Sequence, residues 1–219
     1  MQYLLDGSNW DFADPQSVPN LLVDHIVITL LCMLVGLAIA LPISFLLVRY
    51  TRFYPSAITT ASVIYTLPSL AFMAFLIPFF LLSPLTVFIP LVLYTQVVLI
   101  RNTVAAIRSV DPMLVEVGRA MGMNNLQVQL RVVLPLAAPI IIAGIRVATV
   151  TTIGIAAIGP LFGTQNLGYL ITNGLALSYK DMILAGAIML TILALGTDLL
   201  LLGVQNLINR AGAEVVAAA

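Results

Sequence analysis

Few side chains in this 219-residue sequence could perform chemistry. It contains one histidine, His25, and one cysteine, Cys32. It therefore lacks the residues for most metal centres and for a Ser-His-Asp triad. It has no Gly-x-x-x-x-Gly-Lys-Ser/Thr loop to hold the phosphates of a nucleotide, and no paired carboxylates that mark a pocket. We expect no catalytic site and no cofactor or metal bound by this chain.

Single charged residues inside apolar segments are the exceptions. Asp198 lies deep within such a segment, where a charge is costly and often functional. It could carry protons, but no second acid or histidine accompanies it, so we favour a bond to a neighbouring helix or a second subunit. His25, beside Asp24, is expected to lie in water at the membrane edge. Arg146 is expected to extend its side chain to the nearer membrane face.

Aromatic residues cluster around two prolines between residues 65 and 80. An aromatic ring can bind a quaternary ammonium group through a cation–π contact, although aromatic residues in membrane helices more often pack or face lipid. Each proline removes a backbone donor and is predicted to interrupt the helix. The kinks could line a pathway or act as hinges, or they could be structural only. The candidate pathway residues are Tyr65, Pro68, Phe72, Phe75 and Pro78.

Membrane helices must position these residues. The chain is 61% hydrophobic and only 8% charged, against roughly 25% charged in soluble domains. The net charge of zero gives nucleic-acid binding no electrostatic basis. The apolar runs are continuous, unlike the alternating strands of a β-barrel. We predict a single all-α integral membrane domain over residues 1–219.

Five apolar segments are about long enough to cross a bilayer. They are predicted at about residues 26–48, 56–82, 85–100, 139–162 and 182–208, and the third could extend to residue 107. Of the nine basic residues, all except Lys180 follow the first, third or fifth segment or lie just inside the fourth. The positive-inside rule then places the acidic N-terminal segment, residues 1–24, outside the cytoplasm and the C-terminus inside. The N-terminal segment does not resemble a cleavable signal peptide.

The loop of residues 106–135 is predicted to form two short helices that meet at a glycine. Asp111 followed by proline is typical of a helix start. Gly122 can end that helix in a left-handed turn. Asn124 or the residue after it could cap the second helix, which Pro135 is expected to close.

This loop resembles the EAA motif of ABC importer permeases: Glu-Ala-Ala, three residues, Gly, nine residues, then Ile-x-Leu-Pro. In that family the loop is a coupling helix that docks on a cytoplasmic ATPase, which binds ATP and Mg²⁺. An amphipathic helix on the membrane surface is the alternative. The coupling residues that the resemblance implies are Glu116, Gly122, Leu134 and Pro135, with mild departures at Val117, Gly118 and Val132.

Further segments resemble the osmoprotectant branch of the family, which imports glycine betaine, carnitine or choline. They are residues 65–71, 76–78, 100–103, 110–112 and 143–149. The resemblance implies the five-helix type I fold of methionine permeases, with the N-terminus out and the C-terminus in. Two alternatives stay open: a permease for methionine or another amino acid, and, from a different class, an ion- or proton-coupled secondary transporter.

The resemblance also implies an assembly. The chain would be a transport subunit rather than an enzyme, in a bacterial cytoplasmic membrane. Its partners would be the lipid bilayer, a cytoplasmic ABC ATPase dimer, a second permease subunit (a copy or a paralogue) and an extracytoplasmic substrate-binding protein. Transport of a compatible solute would be driven by ATP hydrolysis on the ATPase.

One turn departs from the branch's pattern of Gly-x-Gly-Gly-Leu-Gly. In residues 163–168, Gln165 and Asn166 stand where the pattern has two glycines. The turn is predicted near the outer mouth. The change could stiffen a gate, alter contacts with a receptor, mark one of two unequal permeases, or be neutral. The candidate gate residues are Gly163, Gln165, Asn166 and Gly168.

Overall fold

The computed structural model describes the backbone of residues 2–217 and the side chains of residues 2–209, so the side chain of Arg210 lies outside it. All regular structure in this part is helical. The α-helices are α1 (Gln2–Leu5), α2 (Val18–Arg49), α3 (Tyr54–Thr66), α4 (Ser69–Phe80), α5 (Pro84–Arg108), α6 (Pro112–Ala120), α7 (Asn125–Val128), α8 (Leu134–Ala156), α9 (Gly168–Ala176) and α10 (Lys180–Ala217). Short 3₁₀ turns cover Gly7–Trp10, Thr51–Phe53 and Gly159–Phe162, and a π-helical segment covers Gln129–Val133.

Within residues 2–217, four helical stretches are long and apolar enough to cross a membrane. They are Val18–Arg49, Pro84–Arg108, Asn125–Ala156 and Lys180–Asn209. A bent pair, Thr51–Thr66 with Ser69–Phe80, is a fifth candidate. The five predicted segments therefore correspond to four continuous helices and one broken pair. The predicted extension of the third segment to residue 107 is confirmed, because α5 ends at Arg108.

The 90° bend of the broken pair lies at Pro68. The residue before a proline avoids the helical conformation, and Leu67 is extended, with φ −64° and ψ 130°. The hydroxyl of Tyr94 on α5 donates to the carbonyl of Leu67 at 2.9 Å, which satisfies an acceptor at the end of α3. The interruption predicted at Pro68 is confirmed. The one predicted at Pro78 is wrong: Pro78 lies inside α4 close to its end, where a missing donor costs the helix a single bond.

Helix α5 is the centre of the bundle and packs against α2, α3, α4 and α8. Glycines on α2 and α8 let these helices approach α5 closely. A Cβ added at Gly36 of α2 would lie 2.5 Å from the hydroxyl of Thr95, and one at Gly144 of α8 would lie 2.5 Å from Asn102. Such close backbone approach is how membrane helices gain packing energy where lipid removes the hydrophobic driving force.

The loop after α5 largely follows the sequence prediction. Asp111 caps α6 by accepting from the backbone of Met113 at 2.9 Å, Gly122 has φ +83°, and Asn124 caps α7. The prediction that Pro135 closes the second helix is wrong, because the helix continues from residue 125 to residue 156. Proline cannot donate to the carbonyl four residues earlier, and the π-helical segment Gln129–Val133 shifts the hydrogen-bond register just before it.

The helices are joined at two opposite ends. At the end that we call the Gly163 end, the first residues of α2 and α10 pack on the turn before α9, with Val18, Leu167 and Met182 in one buried cluster. At the other, the Glu116 end, α6 and α7 follow the last turn of α5, and Ile107 and Val128 share a buried cluster.

Candidate functional site

Helix α6 presents an apolar face to its surroundings at the Glu116 end. Met113 is 68% exposed and Met121 is 72% exposed, and Leu114 and Val117 are about half exposed. These residues recur at spacings of three or four, so they lie on one side of the helix. A contiguous exposed apolar face next to charged residues is typical of a protein interface.

Glu116 lies beside this face and is also exposed. Its carboxylate makes no hydrogen bond or ion pair within the part of the chain that the structure describes. A free carboxylate beside exposed apolar side chains gives a partner both a charge to recognise and a surface to cover. Glu116 and Val117 are therefore the motif residues of α6 whose side chains are exposed.

The other motif residues hold the loop in shape. Gly118 is buried, and a Cβ there would lie 3.3 Å from Val132. Its carbonyl accepts from the backbone of Met123 at 3.2 Å, across the turn at Gly122. Leu134 and Pro135 begin α8. Because α7, the π-helical segment and α8 run on without a break, a tilt of α6 can pass directly to a spanning helix.

An ion pair joins α8 to α10 within the spanning region. Arg146 donates to both carboxylate oxygens of Asp198, at 2.9 and 2.8 Å, and to the side chain of Gln205 at 3.0 Å. The interhelix bond favoured for Asp198 is confirmed. The side chain of Arg146, which was expected to extend to the nearer membrane face, is held by a bidentate partner on the adjacent helix.

Two grooves flank Val147 on the exposed side of α8, and we call them together the Val147 surface. The first, of about 410 Å³, lies between α3, α5 and α8 and is lined by Ser62, Tyr65, Thr66, Arg101, Asn102 and Val147. The second, of about 480 Å³, lies between α8 and α10 and is lined by Arg146, Val147, Val150, Thr151, Leu195 and Asp198. The charged and hydroxyl side chains of four helices thus meet on one face.

These charges lie within the spanning helices, towards their Glu116 ends. Arg101 follows Pro84 by 17 residues and Asp198 follows Lys180 by 18, or about 26 and 27 Å along helices that both start at the Gly163 end. Ionised side chains within spanning helices usually face a bundle interior or a water-filled cavity rather than lipid. The Val147 surface is therefore a face that water or a second protein covers.

The predicted aromatic residues separate into two groups. Tyr65 and Phe72 both make edge-to-face contacts with Tyr94, at ring distances of 5.8 and 6.0 Å. Phe75 packs on Phe79 at 5.9 Å, is 66% exposed and lines neither groove. Only Tyr65 reaches the Val147 surface. Tyr94, which supports the break at Pro68, was missed because nothing in a long apolar segment shows where its hydroxyl points.

The turn at the Gly163 end is closed by buried hydrogen bonds. The side chain of Asn166 donates to the carbonyl of Ala156 at 3.0 Å and accepts from the backbone of Gly168 at 2.8 Å. Gly163 has φ +96°. A Cβ added at Gly168 would overlap the carbonyl of Ala157. Of the alternatives for this turn, stiffening has structural support at Asn166, whereas Gln165 is exposed.

His25 also belongs to this closed end. It is fully buried, and its Nε2 lies 3.1 Å from the carbonyl of Ile153 on α8. The expected position in water at the membrane edge is wrong, because α2 begins at Val18, two turns earlier, and His25 faces α8. A buried histidine bonded across two helices has a structural role here.

The N-terminal segment covers the same end. Gln16 accepts from the hydroxyl of Tyr169 at 2.7 Å, and the ring of Tyr3 packs edge-to-face on Tyr179. Burial raises the pKa of Tyr3, and the backbone N–H of Ser8 lowers the pKa of the Asp6 carboxyl. Among the described residues, no group of three or more His, Cys, Asp or Glu side chains could hold a metal ion.

Residues 32–211 match a protein-family model described as "Binding-protein-dependent transport system inner membrane component". The chain is 42% identical over 179 residues to the carnitine transport permease protein OpuCB of Listeria monocytogenes, covering 80% of this chain and 82% of that protein. It is 36% identical to the choline transport system permease protein OpuBB of Bacillus subtilis, covering 87% and 88%. It is 32% identical to the osmoprotectant import permease protein OsmW of Salmonella typhimurium, covering 97% and 98%.

The fold is also similar to a solved structure, an inward-facing conformation of the MetNI methionine ABC transporter. The TM-score is 0.76, over 87% of this chain and 95% of that one, at 19% sequence identity. This likeness shows the fold of a type I importer permease and carries no information on substrate.

Proposed function

The chain belongs to the family of binding-protein-dependent transport system inner membrane components, and we propose that it carries a compatible solute into the cell. The family makes it a membrane permease subunit of an ABC importer. The proposed solutes are glycine betaine, carnitine and choline, which are named for relatives 34–42% identical to this chain. The proposed energy source is ATP, with Mg²⁺, hydrolysed on separate subunits.

The Val147 surface is the observation that carries the proposal. A single chain leaves Arg101 and the Arg146–Asp198 pair open on one face of its spanning helices. Lipid is a poor solvent for these groups, so a second permease subunit facing this surface would enclose them in an aqueous path. Such a path between two subunits has the polar lining that a zwitterionic or cationic solute needs.

The exposed face of α6 supplies the proposed link to the motor. Glu116 and Val117 would enter a groove on the ATPase, while Gly118, Gly122 and Val132 hold α6 at a fixed angle to α8. Closure of the two ATPase subunits would then move α8 as a rigid body and change access to the Val147 surface. The N-terminus would lie outside and α6 in the cytoplasm, in accord with the distribution of basic residues.

Proton-coupled transport, the alternative of a different class, has less support. The proton carrier would be Asp198, whose two carboxylate oxygens already accept hydrogen bonds from the guanidinium of Arg146. A proton carrier at this position would have to give up these charge-assisted bonds in each cycle.

Transport by the reconstituted assembly tests the proposal. The permease, its cognate ATPase and its receptor are placed in proteoliposomes, and uptake of radiolabelled glycine betaine, carnitine, choline and methionine is measured with ATP or a non-hydrolysable analogue. We expect uptake of at least one quaternary ammonium solute with ATP only, and its loss in Glu116→Lys. Uptake driven by an ion gradient without ATP, or uptake of methionine alone, would contradict the proposal.

A further inference from the structure

The first groove of the Val147 surface has the chemistry of a zwitterion site. Its volume of about 410 Å³ is within the range of small-molecule pockets. It is lined by the polar and aromatic side chains of Arg101, Tyr65, Asn102, Ser62 and Thr66 and by three valines, Val97, Val98 and Val147. A cation and a ring in one groove match a ligand that has a carboxylate at one end and a quaternary ammonium at the other.

Arg101 is the group that could hold the carboxylate. It is exposed and makes no ion pair or hydrogen bond within the part of the chain that the structure describes. This distinguishes it from Arg146, whose donors are directed to Asp198 and Gln205. Asn102 uses one N–H for the carbonyl of Val98 at 2.8 Å, so its second N–H is left for a ligand.

Tyr65 is the group that could hold the ammonium. Its ring is fixed edge-to-face against Tyr94, which is itself anchored to the carbonyl of Leu67. Tyr65 is nonetheless 42% exposed and lines the groove. A preorganised ring face attracts a quaternary ammonium, and the gain is modest at a partly solvated site. Weak binding suits a site that must release what it receives.

We infer that Arg101 and Tyr65 form a transient binding site within the membrane, in which Arg101 binds the carboxylate of a zwitterionic solute and Tyr65 its quaternary ammonium. The inference rests on the proposed function and adds to it the residues that select the solute. It predicts that Arg101 acts only on solutes with a carboxylate, such as glycine betaine, whereas Tyr65 acts on these and on choline, which has none.

Uptake of glycine betaine and of choline by proteoliposomes containing the permease, ATPase, receptor and ATP tests the inference. We expect Arg101→Gln to lower glycine betaine uptake about tenfold, the value of one hydrogen bond to a charged group, and to leave choline uptake unchanged. Arg101→Lys should recover most of the loss. Tyr65→Leu should lower uptake of both solutes about threefold, and Tyr65→Phe should lower neither. Arg52→Gln, at a residue stacked on Phe53 away from the groove, is the matched control.

The outcomes separate the inference from the proposed function. Equal loss of both solutes in Arg101→Gln, no loss in that variant, or a wild-type assembly that imports choline alone would overturn the inference. If the wild type imports glycine betaine but not choline, recovery in Arg101→Lys supports the inference and its absence contradicts it. A wild-type assembly that imports no quaternary ammonium solute would overturn the proposed function and the inference with it.

Discussion

The two ends of the molecule are built in opposite ways. At the Gly163 end, polar groups such as Asn166 and His25 are buried and bonded to backbone carbonyls of α8. At the Glu116 end, Met113 and Met121 leave apolar side chains in the open. The Gly163 end is therefore closed by buried bonds within a single chain, although it too exposes apolar residues such as Leu5, whereas the Glu116 end presents an apolar face beside an exposed Glu116.

This difference separates fixed parts from moving ones. Buried hydrogen bonds and close backbone contacts resist displacement, because each group that loses its partner is left unsatisfied. Helix α6 is linked to α5 by residues 109–111 and to α7 by the turn at Gly122, so a push on its exposed face is carried into both neighbouring helices. We infer that force from a partner enters at α6 and travels along α8 towards the closed Gly163 end.

The largest effect is expected from Gly168→Ala at the closed end. The added methyl would overlap the carbonyl of Ala157, which is backbone and cannot rotate away. Overpacking of this kind should cost about 3 kcal/mol or more of unfolding free energy. Thermal unfolding in detergent measures it. The matched control is Gly203→Ala in α10, where a Cβ meets no atom within 4 Å and helix propensity favours alanine. Equal melting temperatures for the two variants would contradict the account.

Loss of the Arg146–Asp198 ion pair is expected to have the second-largest effect on stability. Asp198→Asn removes the charge from a bidentate pair and leaves Arg146 uncompensated between α8 and α10. We expect a lower melting temperature than for Asp24→Asn, at an exposed aspartate of α2. A charge exchange, Arg146→Asp with Asp198→Arg, should recover part of the loss. If Asp198→Asn has the same melting temperature as Asp24→Asn, the ion pair does not stabilise the packing of α8 on α10.

Asn166→Gly should have a moderate effect at the turn. It restores the glycine of the osmoprotectant branch but removes three buried side-chain hydrogen bonds, to Ala156, Thr164 and Gly168. The expected loss of stability is about 1–3 kcal/mol. Gln165→Gly, at the exposed neighbour, should change it much less. Denaturant unfolding of both variants compares them, and a larger loss in Gln165→Gly would show that Asn166 does not stiffen the turn.

The smallest effect is expected from Gly118→Ala at the open end. The added Cβ lies 3.3 Å from a methyl of Val132, a side chain that can shift by a few tenths of an ångström. This strain opposes the helix propensity of alanine, so stability should change by less than about 1 kcal/mol. Gly118→Leu should melt lower, because its longer side chain has no space against Val132. Equal melting temperatures for Gly118→Leu and Gly118→Ala would mean that Gly118 is not packed closely against Val132.

The sequence was sufficient to predict the spans and the loop, because both depend on local chemistry. Apolar runs of membrane length, a proline that breaks a helix at Pro68 and a glycine turn at Gly122 act through neighbouring residues alone. Side-chain contacts between helices were harder to predict, since they depend on which faces of helices distant in sequence meet. The partner of Arg146 is 52 residues away, the bond of Tyr94 crosses 27, and that of His25 crosses 128. Pro135 was expected to end a helix, but the π-helical segment just before it shifts the hydrogen-bond register and the helix continues.

Co-purification of the nucleotide-binding subunit tests the central claim, that the Glu116 end is the docking surface and the Gly163 end is not. The ratio of this subunit to the affinity-purified permease is measured for the wild type, Glu116→Lys and Val117→Asp. The control is Leu5→Asp, at an 83% exposed apolar residue of the Gly163 end. We predict that both α6 variants lose the subunit and that Leu5→Asp keeps it at the wild-type ratio. Retention of the subunit by both α6 variants, or its loss in Leu5→Asp, would contradict the account.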